Sequence, residues 1–296
     1  VRYTILHRTT YDYAHEVAVS HHLARLTPRA TARQQVVEHM LDIEPEPAQV
    51  CLHEDYFGNT VSVFAIEGAH RQLTVSARSV VEVKAPNLPL TSISPNWVEV
   101  RNLCQRGATS EAVAAGEFQF PSPLIPLGPA FAEYAHLDFP AGRPLLEAIL
   151  AFTQRMFKEF AFDPKATTVA TPVGQAFRER RGVCQDFAHV QIACLRSLGL
   201  PARYASGYLE TLPPPGRPRL AGADASHAWI QVWAGALGWI DADPTNGLLP
   251  GERHILAAVG RDYGDVSPLR GVIVGGGGHE LKVAVDVLPA KPVTTN

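Results

Sequence analysis

The stretch "RRGVCQDFAH", residues 180–189, decides how the rest of the chain is read. Beyond the basic pair and Gly182, the residues Val183, Phe187, Val190, Cys194 and Leu198 recur at spacings of 4, 3, 4 and 4. That spacing makes one face of a helix, and Gly199 and Pro201 supply its stop. Cys194 lies on the apolar stripe and reads as a small core residue. Cys184 lies off the stripe, in the first turn. There the unpaired N–H groups and the positive end of the helix dipole favour an anion, so a thiol is favoured as its nucleophilic thiolate. Its own backbone N–H points to where an oxyanion forms when a carbonyl is attacked.

A nucleophilic thiol needs a base, and the base an orienting group. The segment "ASHAWIQVWAGALGWIDADPTNG", residues 225–247, reads as two strands joined by a turn around "GALG". His227, Trp229, Gln231 and Trp233 share one face of the first strand; Trp239, Asp241 and Asp243 share one face of the second. A turn centred near Ala236 sets Asp243 opposite Trp229, with His227 diagonally beside it. A one-residue slip would reverse that relation, and by parity alone Asp241 could be the orienting carboxylate instead. Each residue also has a plainer reading: a satisfied strand histidine, and an aspartate that only starts the Pro-Thr-Asn turn. Their combination with a cysteine at a helix mouth favours chemistry.

Composition narrows the setting. The chain has 296 residues, room for two domains and a sizeable core. It is 46% hydrophobic and 19% charged, with a formal net charge of -3 and no long Lys/Arg run. This argues against nucleic-acid binding and against an anionic-membrane anchor, and no apolar stretch approaches the roughly 18 residues of a spanning helix. The polar, alternating start "VRYTILHRTTYDYAHEVAVS" has no leader-like apolar segment. Cysteines stand at 51, 104, 184 and 194 without a C-x-x-C or zinc-site spacing. Free thiols and a cytoplasmic location are the expectation.

Along the chain, residues 1–84 read as a β-rich N-terminal domain, sandwich- or barrel-like, from alternating runs such as "QQVVEHMLDIEPEP", "VSVFAIEG" and "QLTVSARSVVEVKAP". "YFGNTVSVF" carries a Gly-Asn hairpin signal, and the His21-His22 pair reads as surface or packing. Residues 85–142 are proline-rich and read as a connecting segment with short helices. From 143 to 296 the chain reads as the catalytic domain. Its first helix starts with Pro144 and places Leu145, Leu146, Ile149, Phe152, Met156 and Phe157 on one face. A second helix takes Thr171 as N-cap, Pro172 at its first position and Gly182 as its stop. "GGGG" at 275–278 leads into a last alternating strand, "HELKVAVDVLP".

At "GVCQDFAH", "LRSLGLPARYASGYL", "SHAWIQV", "GWIDADPTNG" and "GRDYGDVSPLRG" the sequence resembles the bacterial transglutaminase-like superfamily, whose members include proteins described as cysteine proteases. "YTILHRTTYDYAHEV" is similar to the N-terminal region that these bacterial proteins carry, so the resemblance spans nearly the whole chain. It implies an α+β fold: a papain-like core with the cysteine helix packed on an antiparallel sheet, preceded by the β-sandwich-like domain. It puts the nucleophile on Cys184, the base on His227 and the orienting carboxylate on Asp243, the residue before Pro-Thr, in preference to Asp241. No calcium site of the animal transglutaminase kind is recognisable, and no cofactor is expected.

The expected activity is therefore cysteine-dependent acyl transfer at an amide bond of a peptide or protein substrate, with hydrolysis favoured over transamidation because water is always at hand. A protein-glutamine transamidase or deamidase is the alternative. Gln185 is a candidate second oxyanion donor. Two rivals come from other classes: a metal site built from Cys184, His189 or His227, and Asp243, which lacks a close ligand pair, and a non-catalytic module that kept the fold. "DYGDV", residues 262–266, reads as a structural turn, or else as a loop over the cleft.

Overall fold

The computed structural model describes residues 1–211 and 226–290; positions 291–296, the end of the expected catalytic domain, lie outside the described residues. Five strands come first: β1 (Arg2–Ala24), β2 (Gln34–Glu44), β3 (Val50–Glu54), β4 (Thr60–Ile66) and β5 (His70–Val83). Helices α1 (Trp97–Gln105), α2 (Ser110–Gly116), α3 (Pro129–His136) and α4 (Leu145–Glu159) follow. Next come β6 (Ala161–Phe162), α5 (Val173–Glu179), β7 (Arg181–Gly182) and α6 (Cys184–Ser197). The chain continues through β8 (Ala202–Leu209), β9 (Ser226–Trp233), β10 (Trp239–Ala242) and β11 (His254–Gly260). It ends with α7 (Tyr263–Val266), β12 (Leu269–Gly275) and β13 (His279–Pro289). Among the described residues, no helix is long and apolar enough to cross a membrane.

The expected strand-rich start is present, and its strands form one antiparallel sheet of seven, ordered β2-β5-β1-β4-β3 with β12 and β13 also on β1. The 23-residue β1 organises it. Tyr3, Ile5, His7 and Thr9 alternate inward with period two. The first half of β1 pairs with β5 and β13, the second with β4 and β12, and the register shifts at Val17, where the strand changes neighbours. His22 is buried and stacked on Phe64, while His21 faces out.

β12 and β13, which fall within residues 143–296, pair with β1 of this first sheet. They lie end to end along β1, β12 beside Val17–Ala24 and β13 beside Tyr3–Tyr13, and the break between them carries Gly275, Gly276 and Gly277, all at positive φ. The alternation in "HELKVAVDVLP" announces a strand but carries no information about its neighbour.

The second unit is a four-stranded antiparallel sheet, β10-β9-β8-β11, with α6 packed on β8 and β9. Helices α1 and α3, in the segment expected to connect the domains, bury Trp97, Val100, Phe131 and Tyr134 in the same core as Leu146, Ile149 and Phe152 of α4. Two boundaries move by one residue, because Pro144 and Pro172 serve as N-caps rather than first helical positions. Phe157 is corrected too: it leaves the buried face of α4, is 50% exposed, and lies against Gly247. Helix α5 stops at Arg180, not Gly182, in a left-handed conformation. The guanidinium stacks over Tyr134, Phe160 and Phe177, contacts that offset the backbone strain.

The two units meet along β11, the outer strand of the core sheet. Gln34 accepts from Leu256 N at 2.9 Å and donates to Leu256 O at 2.7 Å. Asn59 does the same at Val259, with both bonds 2.8 Å. Two side-chain amides thus serve as the missing neighbour of an edge strand, satisfying backbone groups that burial would leave unpaired. Tyr3, Ile5, Val81 and Val83 close the contact against Tyr208, Ile255 and Ala257.

Candidate active site

Helix α6 begins where it does because of Gly182 and Asp186. Val183 is the N-cap, and its side chain makes no capping bond. The Asp186 carboxylate, in the third helical position, accepts from Val183 N at 2.8 Å and from Thr167 Oγ1 at 2.6 Å. That is the reciprocal half of a capping box. A Cβ on residue 182 would lie 2.5 Å from Asp186 Oδ2, so only glycine lets the carboxylate fold back there. Cys184 is therefore the first residue of α6, partly exposed, at the positive end of the dipole.

The helix is buried on nearly all sides, not on one stripe, because α3 and α5 cover the face turned away from the sheet. Its polar side chains are paired accordingly. Gln191 donates to Thr153 Oγ1, and Arg196 to the carbonyls of Ala202, Phe120 and Arg261. Cys194 is fully buried, and burial raises its thiol far above the ordinary value.

His227 opens β9. The β9–β10 register pairs Asp241 with Gln231 and Ala242 with Ile230, the pairing expected from a turn at Ala236. Asp243 follows directly and is completely buried. His227 Nε2 donates to Asp243 Oδ2 at 2.7 Å, and the Cys184 thiol lies near enough to the ring to favour its charged form. The structure thus brings Cys184, His227 and Asp243 together. Burial opposes a charge on His227, yet Asp243 and Cys184 outweigh it and raise the ring to about 10. Burial likewise opposes charge on Asp243; its bonds to His227 and His254 prevail and hold it well below the ordinary carboxylate range.

The two readings of Asp243 prove compatible, one per oxygen. Oδ1 accepts from Thr245 N at 2.9 Å and Asn246 N at 3.2 Å, starting the turn. Oδ2 faces His227, and Asn246 Nδ2 donates to it at 2.7 Å. Asp241 is engaged elsewhere: Oδ1 accepts from Trp229 Nε1 and Gln231 Nε2, and Oδ2 from Arg33 Nη2 at 2.6 Å. Trp229 also stacks beside His227, with ring centres 6.0 Å apart.

Other candidates fall outside this trio. His189 accepts from Tyr263 N, is lowered to about 4 by burial, and is not a member of the group that His227 and His254 form around Asp243. The Gln185 amide donates to Val169 O. "DYGDV" is the single turn α7, capped by Asp262. A cavity of about 810 Å³ around Phe118, Arg203 and Trp239 lies at the far end of the β9–β10 hairpin.

One residue was not foreseen. His254, on β11, donates Nε2–H to Asp243 Oδ2 at 2.9 Å and is only 4% exposed. His227, Asp243 and His254 are the one group of three potential metal ligands among the described residues, and Cys184 is not part of it. Its signal, a histidine heading the apolar run "HILAAVG", is too common to single out.

A cysteine at a helix mouth, packed on an antiparallel sheet that carries histidine and aspartate, defines the papain-like α+β arrangement. The chain belongs to the transglutaminase-like superfamily: its family model matches residues 138–244, and that of the bacterial transglutaminase-like N-terminal region matches residues 3–82. It is 40% identical over 296 residues to the uncharacterized Mycobacterium tuberculosis protein Rv2569c, covering 97% of this chain and 93% of that one. A Pseudomonas aeruginosa protein-glutamine gamma-glutamyltransferase is 32% identical over 108 residues, covering 34% of this chain and 16% of its own. The fold matches a Cytophaga hutchinsonii structure described as a candidate cysteine protease, with a TM-score of 0.70 at 20% identity, covering 98% of this chain and 91% of that one.

Proposed function

We propose that the protein is a cysteine-dependent acyl-transfer enzyme that hydrolyses amide bonds in a peptide or protein substrate. The observation that carries this reading is His227 bonded to the buried Asp243 beside the Cys184 thiol at the mouth of α6. His227 takes the thiol proton, giving a thiolate–imidazolium pair. The sulfur attacks the carbonyl carbon, forming an S–C bond and a tetrahedral oxyanion. The N–H of Cys184, at a helix start without a side-chain cap, faces that oxygen. His227 then protonates the departing amine as the C–N bond breaks, leaving a thioester. Water, giving a proton to His227, attacks the thioester; the carboxylic acid departs and the thiol is restored. Asp243 holds the ring and balances its charge throughout.

An amine in place of water would make the same thioester a transamidation intermediate. The relative named for glutamine transfer supports that second reading over 34% of this chain. Mass spectrometry of protein quenched with a peptide library distinguishes the outcomes. An acyl adduct on Cys184 that decays to free acid is expected; an adduct released only by added amine favours transamidation; no adduct on Cys184 overturns the proposal.

A further inference from the structure

Asp243 Oδ2 receives two imidazoles, and the scheme above uses only one of them. His254 reaches the same oxygen from the opposite strand edge, at 2.9 Å against 2.7 Å for His227. Its ring lies 5.3 Å from Trp229, edge to face, and 5.8 Å from His227, so indole and imidazoles pack around one carboxylate. Because the acceptor is a carboxylate, the His254 proton is fixed on Nε2. Nδ1 is buried and finds no partner among the described residues. A buried imidazole that leaves one nitrogen unsatisfied costs free energy, and that cost is tolerated at a position where the other nitrogen meets Asp243.

We infer that His254 is a positioning residue: it holds Asp243 Oδ2 in the line of the His227 ring. This rests on the role of Asp243 proposed above. Three donors, from His227, His254 and Asn246, converge on Oδ2, while two backbone N–H groups occupy Oδ1. With His254 gone, a completely buried oxygen keeps two donors and faces the space where the imidazole stood. Turning into that space or admitting water there takes it out of line with His227. The opposing effect is electrostatic: one donor fewer concentrates charge on Oδ2 and would strengthen its pull on the imidazolium. The two effects have opposite signs at Cys184, so the experiment separates them.

The inference also gives the N-terminal region a part in the site. β11 carries His254 at its first position, and Gln34 and Asn59 pin that strand through Leu256 and Val259. The β-rich unit thus fixes the strand that backs Asp243.

The test uses the full chain with Cys51→Ser, since Cys51 is the exposed thiol. The iodoacetamide rate at Cys184 is measured for His254→Leu, His254→Gln and His227→Gln, with thermal midpoints alongside. His254→Leu is expected to slow Cys184 by about tenfold, the scale of one hydrogen bond to a charged group. His254→Gln, whose amide can replace Nε2–H, is expected to restore the rate. An unchanged or faster His254→Leu overturns the inference, as does an equal loss in both variants. Nitrogen NMR of the unsubstituted histidines is a second measurement, independent of how the variants fold. It must find the His254 proton on Nε2, and a proton on Nδ1 alone overturns the inference. If His227→Gln leaves the rate unchanged, the reading of the whole site fails; if only the His254 variants do so, that reading survives.

Discussion

His227 and Asp243 sit 16 residues apart in the chain and 2.7 Å apart in space, joined across the β9–β10 hairpin between Nε2 and Oδ2. The other carboxylate oxygen builds the turn that carries Asp243 itself. A single side chain therefore sets both the local backbone and the direction of the imidazole, which ties folding of the turn to the state of the ring.

Substitution separates Asp243 from Asp241. Asp243→Asn should lower turnover by orders of magnitude with the fold retained; in the serine-protease triad, a worked case of this change, the loss is about 10⁴. Asp241→Asn should do the reverse. It breaks the bond to Arg33 and weakens acceptance from Trp229 and Gln231, costing about 2 kcal/mol of stability while activity per folded molecule persists. Turnover and thermal midpoints measured on both variants decide the matter, and the opposite pattern would move the orienting role to Asp241.

Thiol labelling ranks the cysteines. Near pH 6, iodoacetamide should modify Cys184 faster than the exposed Cys51, because His227 accepts the Cys184 proton. Cys104 and Cys194 are buried, and burial raises both thiols, so both should react only on unfolding. Peptide mapping after timed quenching gives the order. Cys51 leading Cys184 would mean that His227 does not activate the thiol.

Stability should peak near neutral pH, with different histidines responsible on each side. His227 is raised from 6.5 to about 10. Its contribution is full below pH 6.5 and is lost as pH rises through about 10. His7, His22 and His189 are each lowered to about 4, chiefly by burial. As pH falls from 6.5 toward 4, the unfolded chain takes up protons that these folded rings refuse, and stability drops. Thermal midpoints of wild type and His227→Gln across this range should differ by a constant amount below pH 6.5 and converge above it. Curves that run parallel into the alkaline range would show that His227 carries no raised protonation.

Gly182→Ala tests how the helix mouth is set. The added Cβ would meet Asp186 at 2.5 Å from Oδ2 and 2.8 Å from its Cβ, displacing the carboxylate that accepts from Val183 N. A cost of about 1–3 kcal/mol is expected from the overpacking, together with slower labelling of Cys184. Stability lost without a change in labelling would mean that the start of α6 does not depend on this contact.

The chain's own periodicities determined a good deal. A 4, 3, 4, 4 apolar spacing defined α6 and set Cys184 apart from Cys194, and the turn at Ala236 gave the register that carries Asp243 past Gln231 toward His227. These are local relations, set by helix pitch, strand alternation and turn length. Parity alone left Asp241 and Asp243 equivalent. The family resemblance preferred Asp243, and the tertiary structure supplies the physical reason, because the partners that claim Asp241 include Arg33, 208 residues away. The same holds for the two C-terminal strands, whose pattern marked strands but not the partner β1, and for His254, which reaches Asp243 from β11, on the far side of β8 from β9. Alternation says which residues face inward; what they meet there depends on contacts between segments distant in the chain, which no local pattern encodes.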